Sequence, residues 1–95
     1  MQINYTADAF ASLLGLVNFI ETTNTEGAGM RWLGKYEVVL QKSLFKPSQI
    51  KICHNQTFKQ LELHCLNYND WTIAFSIHDN YVLIEALLHK SRITD

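Results

Sequence analysis

The sequence predicts an α+β fold in which an N-terminal helical hairpin packs on an antiparallel β-meander, as one domain over residues 1–95. Three observations carry this. Apolar residues recur at helical spacing through the first half. A turn dipeptide, Asp79-Asn80, separates two β-like runs near the end. The composition, 47% hydrophobic and 12% aromatic with one Pro and four Gly, supplies a core and leaves little for linkers or disorder.

Gln2 to Tyr5 is short and reads as a candidate edge strand. Thr6 is placed to cap a helix, with Asp8 favourable in its first turn. Phe10, Leu13, Leu14, Val17 and Ile20 then follow helical spacing, which predicts a helix over Ala7 to Glu21. Leu16 and Phe19 widen the apolar face, so cover is expected on more than one side. Thr22 to Gly29 breaks the pattern, and Asn24 or Thr25 can cap a second helix. Its apolar positions are Met30, Leu33, Tyr36, Val39, Leu40 and Leu44, with Trp32 beside them, and its wet side is Arg31, Lys35, Gln41 and Lys42. Pro47 stops it. The short link implies an antiparallel hairpin. Ser48 to Lys59 reads as a loop containing a β-compatible Ile50-Lys51-Ile52.

The C-terminal third fixes a register. If Asp79-Asn80 is a two-residue loop, the pairs Ile77/Val82, Phe75/Ile84, Ile73/Ala86 and Trp71/Leu88 fall on one face and are all apolar. The other face pairs His78/Tyr81, Ser76/Leu83, Ala74/Glu85 and Thr72/Leu87. A one-residue slip would bury this mixed set. The preceding strand, Leu61 to Leu66, joins the core side if a three-residue loop, Tyr68-Asn69-Asp70, sets Leu63 across from Phe75 and Cys65 across from Ile73. That leaves Leu66, Leu83 and Leu87 on the face away from the helices, a bare patch suited to a partner.

Eight basic and nine acidic residues give a formal net charge of −1. A protein that grips phosphates carries basic residues to neutralise them, so any nucleic-acid contact must come from a local patch. Lys90 with Arg92, joined by Lys51 and Lys59, is one candidate. No basic region followed by an apolar run opens the chain, and no stretch approaches the roughly 18 apolar residues that span a bilayer. The cytoplasm is the expected location, with no membrane association. Cys53 and Cys65 are accordingly expected as free thiols; one bridge is the alternative that two cysteines permit. Cys53-His54 and His64-Cys65 are zinc-ligand types, but His64 and Cys65 point to opposite faces of a strand, so neither metal nor cofactor is expected.

The order of these elements resembles the RelE/ParE family of toxins. The likeness runs through Ile3-Asn4-Tyr5-Thr6-Ala7-Asp8-Ala9, the opening of the second helix after Asn24-Thr25-Glu26-Gly27-Ala28, and the final hairpin from Trp71 to Arg92. It covers nearly the whole chain and is weakest from Ser48 to Gln60. The resemblance implies the toxin of a type II toxin–antitoxin system, neutralised by a cognate antitoxin. ParE-like members inhibit DNA gyrase; RelE-like members cleave mRNA on the ribosome. It points to His89 as the terminal family histidine, with Lys90 and Arg92 beside it, and to His64 as a second acid–base group if the chain is a ribonuclease. Thr72, Ala74 and Ser76 stand where a RelE-like site would carry Arg, and the end Ile93-Thr94-Asp95 lacks Tyr. Both departures favour a ParE-like, binding mode over catalysis. Lys90, Leu66, Leu83, Leu87 and Glu85 are then the expected binding residues. A non-toxic binding module on the same fold is the third reading.

Overall fold

The computed structural model describes residues 2–90. Its order is β1 (Gln2–Tyr5), α1 (Ala7–Thr23), α2 (Ala28–Ser43), a 3-10 turn (Pro47–Gln49), α3 (Gln56–Gln60), β2 (His64–Tyr68), β3 (Trp71–Ile77) and β4 (Tyr81–His89). The α+β class, the helical hairpin and the meander are as the sequence predicts.

Thr6 caps α1, its hydroxyl accepting from the Ala9 N–H at 3.1 Å. Ala9, Leu13 and Leu16 are buried. Phe10 and Leu14 stay 48% exposed and Phe19 63%, so the chain covers one side of this helix, not two. The start of α2 also departs from expectation. Neither Asn24 nor Thr25 caps it; Gly27 does, at φ 83°, a left-handed conformation that glycine adopts without steric cost. The orphan N–H groups of the first turn are met from the other helix. Glu21 of α1 accepts from Gly27 N–H at 2.7 Å and from Gly29 N–H at 2.9 Å. Gly29 permits the approach, because a Cβ there would lie 2.5 Å from the Val17 carbonyl oxygen.

The sheet has four strands in the order β1-β4-β3-β2. β1 is an edge strand and runs parallel to β4, with Ile3 beside Val82 and Tyr5 beside Ile84, so the sheet is mixed. The β3–β4 hairpin begins as the alternation predicts: Ile77 pairs with Val82, Ser76 with Leu83 and Phe75 with Ile84. A β-bulge then inserts Glu85, and Ala74 pairs with Ala86, Ile73 with Leu87 and Trp71 with His89. The extra residue reverses the faces beyond it. Leu87, expected on the open face, is 3% exposed in the main core beside Ile73.

β2 also differs by one step. It pairs His64 with Phe75, Leu66 with Ile73 and Tyr68 with Trp71, because the turn is the two residues Asn69-Asp70, with Asn69 at φ 53°. His64, Leu66 and Tyr68 therefore face the helices. Leu66 packs partly buried on the core, and is not on the open face as expected. The main core joins Leu13, Leu16, Tyr36, Leu40 and Leu44 to Ile73, Phe75, Val82, Ile84 and Leu87. Burial raises the Tyr36 hydroxyl far above the usual tyrosine range, and its hydrogen bond with the Tyr5 hydroxyl, at 3.0 Å, adds to the shift.

Segment 48–62 is not a simple loop. Ile52 forms an isolated bridge with His64, and α3 is capped by Asn55, whose side chain accepts from Phe58 N–H at 3.1 Å. This excursion covers the opposite face of the sheet. Cys53, Leu63 and Ala74 are buried there, with Phe58, Cys65 and Ala86 packed against them. Leu61, expected in the strand, is 62% exposed. Cys53 and Cys65 form a disulfide, 12 residues apart in sequence. The expectation of free thiols is thereby corrected: the Ile52–His64 bridge brings the segment against β2 and sets Cys53 beside Cys65.

Among the described residues, no helix is long and apolar enough to cross a membrane.

Candidate functional site

Two concave surfaces flank α1. The first lies at the open end of the β3–β4 hairpin. Ser12, Gly15, Leu16 and Phe19 of α1 face Trp71, Leu87, Leu88 and His89 across a groove of about 580 Å³. The bulge at Glu85 builds this site. Without it His89 would fall on the opposite face; with it the imidazole meets the Trp71 ring edge-on, centroids 5.2 Å apart. The groove thus holds the histidine that the sequence singles out, with Trp71 and Phe19, two aromatic rings that sequence reasoning assigned to packing alone. Lys90 follows immediately. Its ammonium lies 3.4 Å from Asp70, both side chains largely exposed, and its N–H donates to the Asp70 carbonyl at 2.8 Å. Arg92 lies outside the described residues.

The second groove runs along the helical hairpin. Phe10, Leu13, Leu14 and Val17 of α1 face Met30, Leu33 and Leu40 of α2, with Ile3 and Tyr5 at its end, enclosing about 490 Å³. Met30, assigned to the core by its spacing, is 66% exposed here. Glu37 and Gln41 line one side and Asn18 the other.

The remaining predicted residues do not converge on either groove. His64 sits on the helix side of the sheet. Its Nδ1–H donates to the Ile50 carbonyl at 2.6 Å, and its ring stacks on Phe75 with centroids 5.5 Å apart. It anchors the 3-10 segment to β2. His64 pairs with Phe75 and His89 with Trp71, from strands on either side of β3. Four residues of β3 and two strand spacings put their backbones about 13 Å apart along the sheet and roughly 10 Å across it. His64, held on the Ile50 carbonyl, is not among the residues that line the groove with His89. His78 at the turn stacks on Tyr81, and its Nε2 lies 2.9 Å from the Ser76 hydroxyl. Leu83 stays half-buried beside Ser76 on the far face, near Asn4 and Tyr81. Glu85 is the bulge residue, half-buried.

A helical hairpin lying on a sheet of order β1-β4-β3-β2, with β1 parallel to β4, is a RelE/ParE-like fold. A chain in the chromosomal ParDE TA system from P. aeruginosa is similar over 94% of this chain and 95% of its own, with a TM-score of 0.73 and 10% sequence identity. No protein-family model and no curated protein matches the sequence. The likeness therefore rests on the shape of the whole domain.

Proposed function

We propose that this chain is the toxin of a type II toxin–antitoxin system, ParE-like, which acts by binding a target such as DNA gyrase and is neutralised by a cognate antitoxin. The observation that carries the reading is the likeness to the ParDE structure across the whole domain. The open apolar groove of the hairpin supports a partner. Phe10, Leu14 and Met30 would bury their rings and chains under an amphipathic segment, the usual fate of such a patch. The antitoxin is its natural occupant.

Binding is favoured over RNA cleavage by the fate of His64. Cleavage needs a group to take the 2′-hydroxyl proton and another to protonate the leaving oxygen, both within hydrogen-bond reach of the reacting atoms. His64 already holds the Ile50 carbonyl and is far from His89. The groove around His89 offers aromatic and apolar contact, suited to gripping a partner.

Growth arrest on induction, rescued by co-expressing a small antitoxin-like frame if one neighbours the gene, is the first test. A supercoiling assay with purified gyrase is the second, run beside a translation mix in which mRNA integrity is read. Arrest, rescue and gyrase inhibition with intact mRNA are expected. Cleaved mRNA would move the chain to the RelE-like ribosome-dependent class. Normal growth together with uninhibited gyrase would leave a non-toxic binding module.

A further inference from the structure

The net charge of −1 conceals a strong segregation. Between Arg31 and Lys59 stand six basic residues, Arg31, Lys35, Lys42, Lys46, Lys51 and Lys59, and one acidic residue, Glu37. The remainder of the chain holds two basic and eight acidic residues. One segment therefore carries a net charge of +5 and the rest −6, from the same counts.

Helix α2 arranges part of this excess in a line. Arg31, Lys35, Val38 and Lys42 follow at steps of four, three and four residues. At about 100° per residue they lie within about 60° of arc, and Arg31 to Lys42 spans roughly 16 Å. All four are exposed. The helix turns Tyr36 and Leu40 into the core and Trp32 against it, while Glu37 belongs to the separate stripe beside the hairpin groove. No carboxylate stands between Lys35 and Lys42 on the ridge, and at its start Glu21 of α1 lies close enough to act on Arg31. Arg31 is steadied by the Glu26 carbonyl at 3.2 Å and the Thr25 hydroxyl at 3.0 Å. Among the described residues, Lys35, Lys42 and Lys46 form no ion pair; the one present joins Lys90 to Asp70.

Where the ridge ends, an aromatic ring stands in the open. Phe45 is 77% exposed, the most exposed large apolar side chain described. Lys42 and Lys46 flank it, and with Ser43, Gln49 and Ile50 they line a depression of about 240 Å³. An apolar partner helix would be poorly served by two flanking lysines. A planar ring with a phosphate on either side matches all three groups, and the Gln49 amide can donate to or accept from a ring edge.

We infer that the α2 ridge and the Phe45 depression bind single-stranded nucleic acid. Lys35, Lys42 and Lys46 neutralise successive phosphates, and one unpaired base stacks on Phe45. The span suits a short site, near the lower end of the ~4–16 nucleotides typical of stacking platforms. The inference is separate from the toxin reading, because it rests on charge and on Phe45, and neither touches the hairpin groove or the His89 groove.

Fluorescence anisotropy with labelled oligouridine, oligodeoxythymidine and a DNA duplex tests it on the intact protein. Binding to a single strand is expected, weakening with salt on a log–log slope of about −2 to −3, as three or four phosphate contacts require. The Lys35→Ala, Lys42→Ala, Lys46→Ala triple variant should lose at least about tenfold in affinity and flatten the slope. Phe45→Ala should lose about fivefold or more with the slope retained. Lys59→Ala, on the opposite face of the sheet, should bind as wild type. Preference for uridine or thymidine strands identifies the polymer, and either supports the proposal. In the wild-type protein, a bound strand should shield Lys35, Lys42 and Lys46 from chemical acetylation and leave Lys59 reactive, a readout independent of variant folding. No single-strand binding at about 50 mM salt, duplex binding alone, wild-type affinity in the triple variant, or uniform acetylation would each overturn the proposal.

Discussion

On its helix side the sheet is covered by two long helices. Phe75, Ile84, Val82 and Ile73 are fully buried under Tyr36, Leu40 and Leu16. On the other side the cover is one five-residue helix with no buried residue of its own, tied down by Cys53–Cys65 and two apolar anchors, Phe58 and Leu63. The first face is held by buried area. The second is too small to be held that way, and a covalent bond takes the place of packing. The comparison separates what burial can do in a chain of 95 residues from what a cross-link must do.

The sharpest way to break the first face is Phe75→Ala. Its ring is fully buried between Ile84 and His64, so truncation loses the transfer energy and leaves a cavity. Urea unfolding should report a loss of about 3–5 kcal/mol. The second face should break on Cys65→Ser or on reduction. Closing a loop over 12 residues of sequence constrains the unfolded chain, and its loss should cost roughly 3 kcal/mol. Hydrogen exchange would then show residues 54–62 opening well before the helical hairpin. An excursion that stays protected after reduction would mean that Phe58 and Leu63 hold it alone.

Smaller effects are expected within the hairpin. Gly29→Ala drives a methyl against the Val17 carbonyl oxygen, which is backbone. The helices must part, at about 1–3 kcal/mol, and the melting temperature should fall although alanine favours helix. Glu21→Gln should have the smallest effect, with a distinctive pH dependence. The N–H groups of Gly27 and then Gly29 hold the Glu21 carboxyl below its ordinary value of 4.5. A depressed pKa contributes stability above the unfolded value, lost as pH falls through the folded one. The variant should melt below wild type at neutral pH, and the two should converge on acidification beneath pH 4.5. Parallel curves would show that the carboxylate charge has no role in the cap.

Legibility followed the same division. The pairs nearest the Asp79-Asn80 turn, down to Phe75/Ile84, were readable because a turn dipeptide fixes its neighbours and the alternation is strict. Beyond Glu85 it failed, since a bulge residue looks like any other in a strand. Leu87 and His89 consequently changed faces. For β2 the signal was present: Asn69-Asp70 is a turn dipeptide of the same kind as Asp79-Asn80. Counting Tyr68 into the loop shifted the strand by one and sent His64 and Leu66 to the wrong side. α3 was unreadable because five residues hold no period. The Cys53–Cys65 pairing depends on a three-dimensional approach that spacing does not reveal. Lys42 was legible as a wet residue. Its alignment with Arg31 and Lys35 on one ridge, and its place with Lys46 beside a bare Phe45, needed the helix phase and the end of α2.

The parallel pairing of β1 with β4 has a consequence for synthesis. Gln2 sits beside Tyr81, so β1 must wait for a strand that follows it by nearly eighty residues. The α1–α2 hairpin is local and can form while the chain is still emerging, but pairings between distant parts of a chain form late. The edge of the sheet and the end of the hairpin groove that Ile3 and Tyr5 line depend on that closure, and the wall of the His89 groove depends on β4 itself. A stretch of chain that stops short of β4 therefore carries no finished site, and the groove beside His89 forms only once β4 has docked against α1.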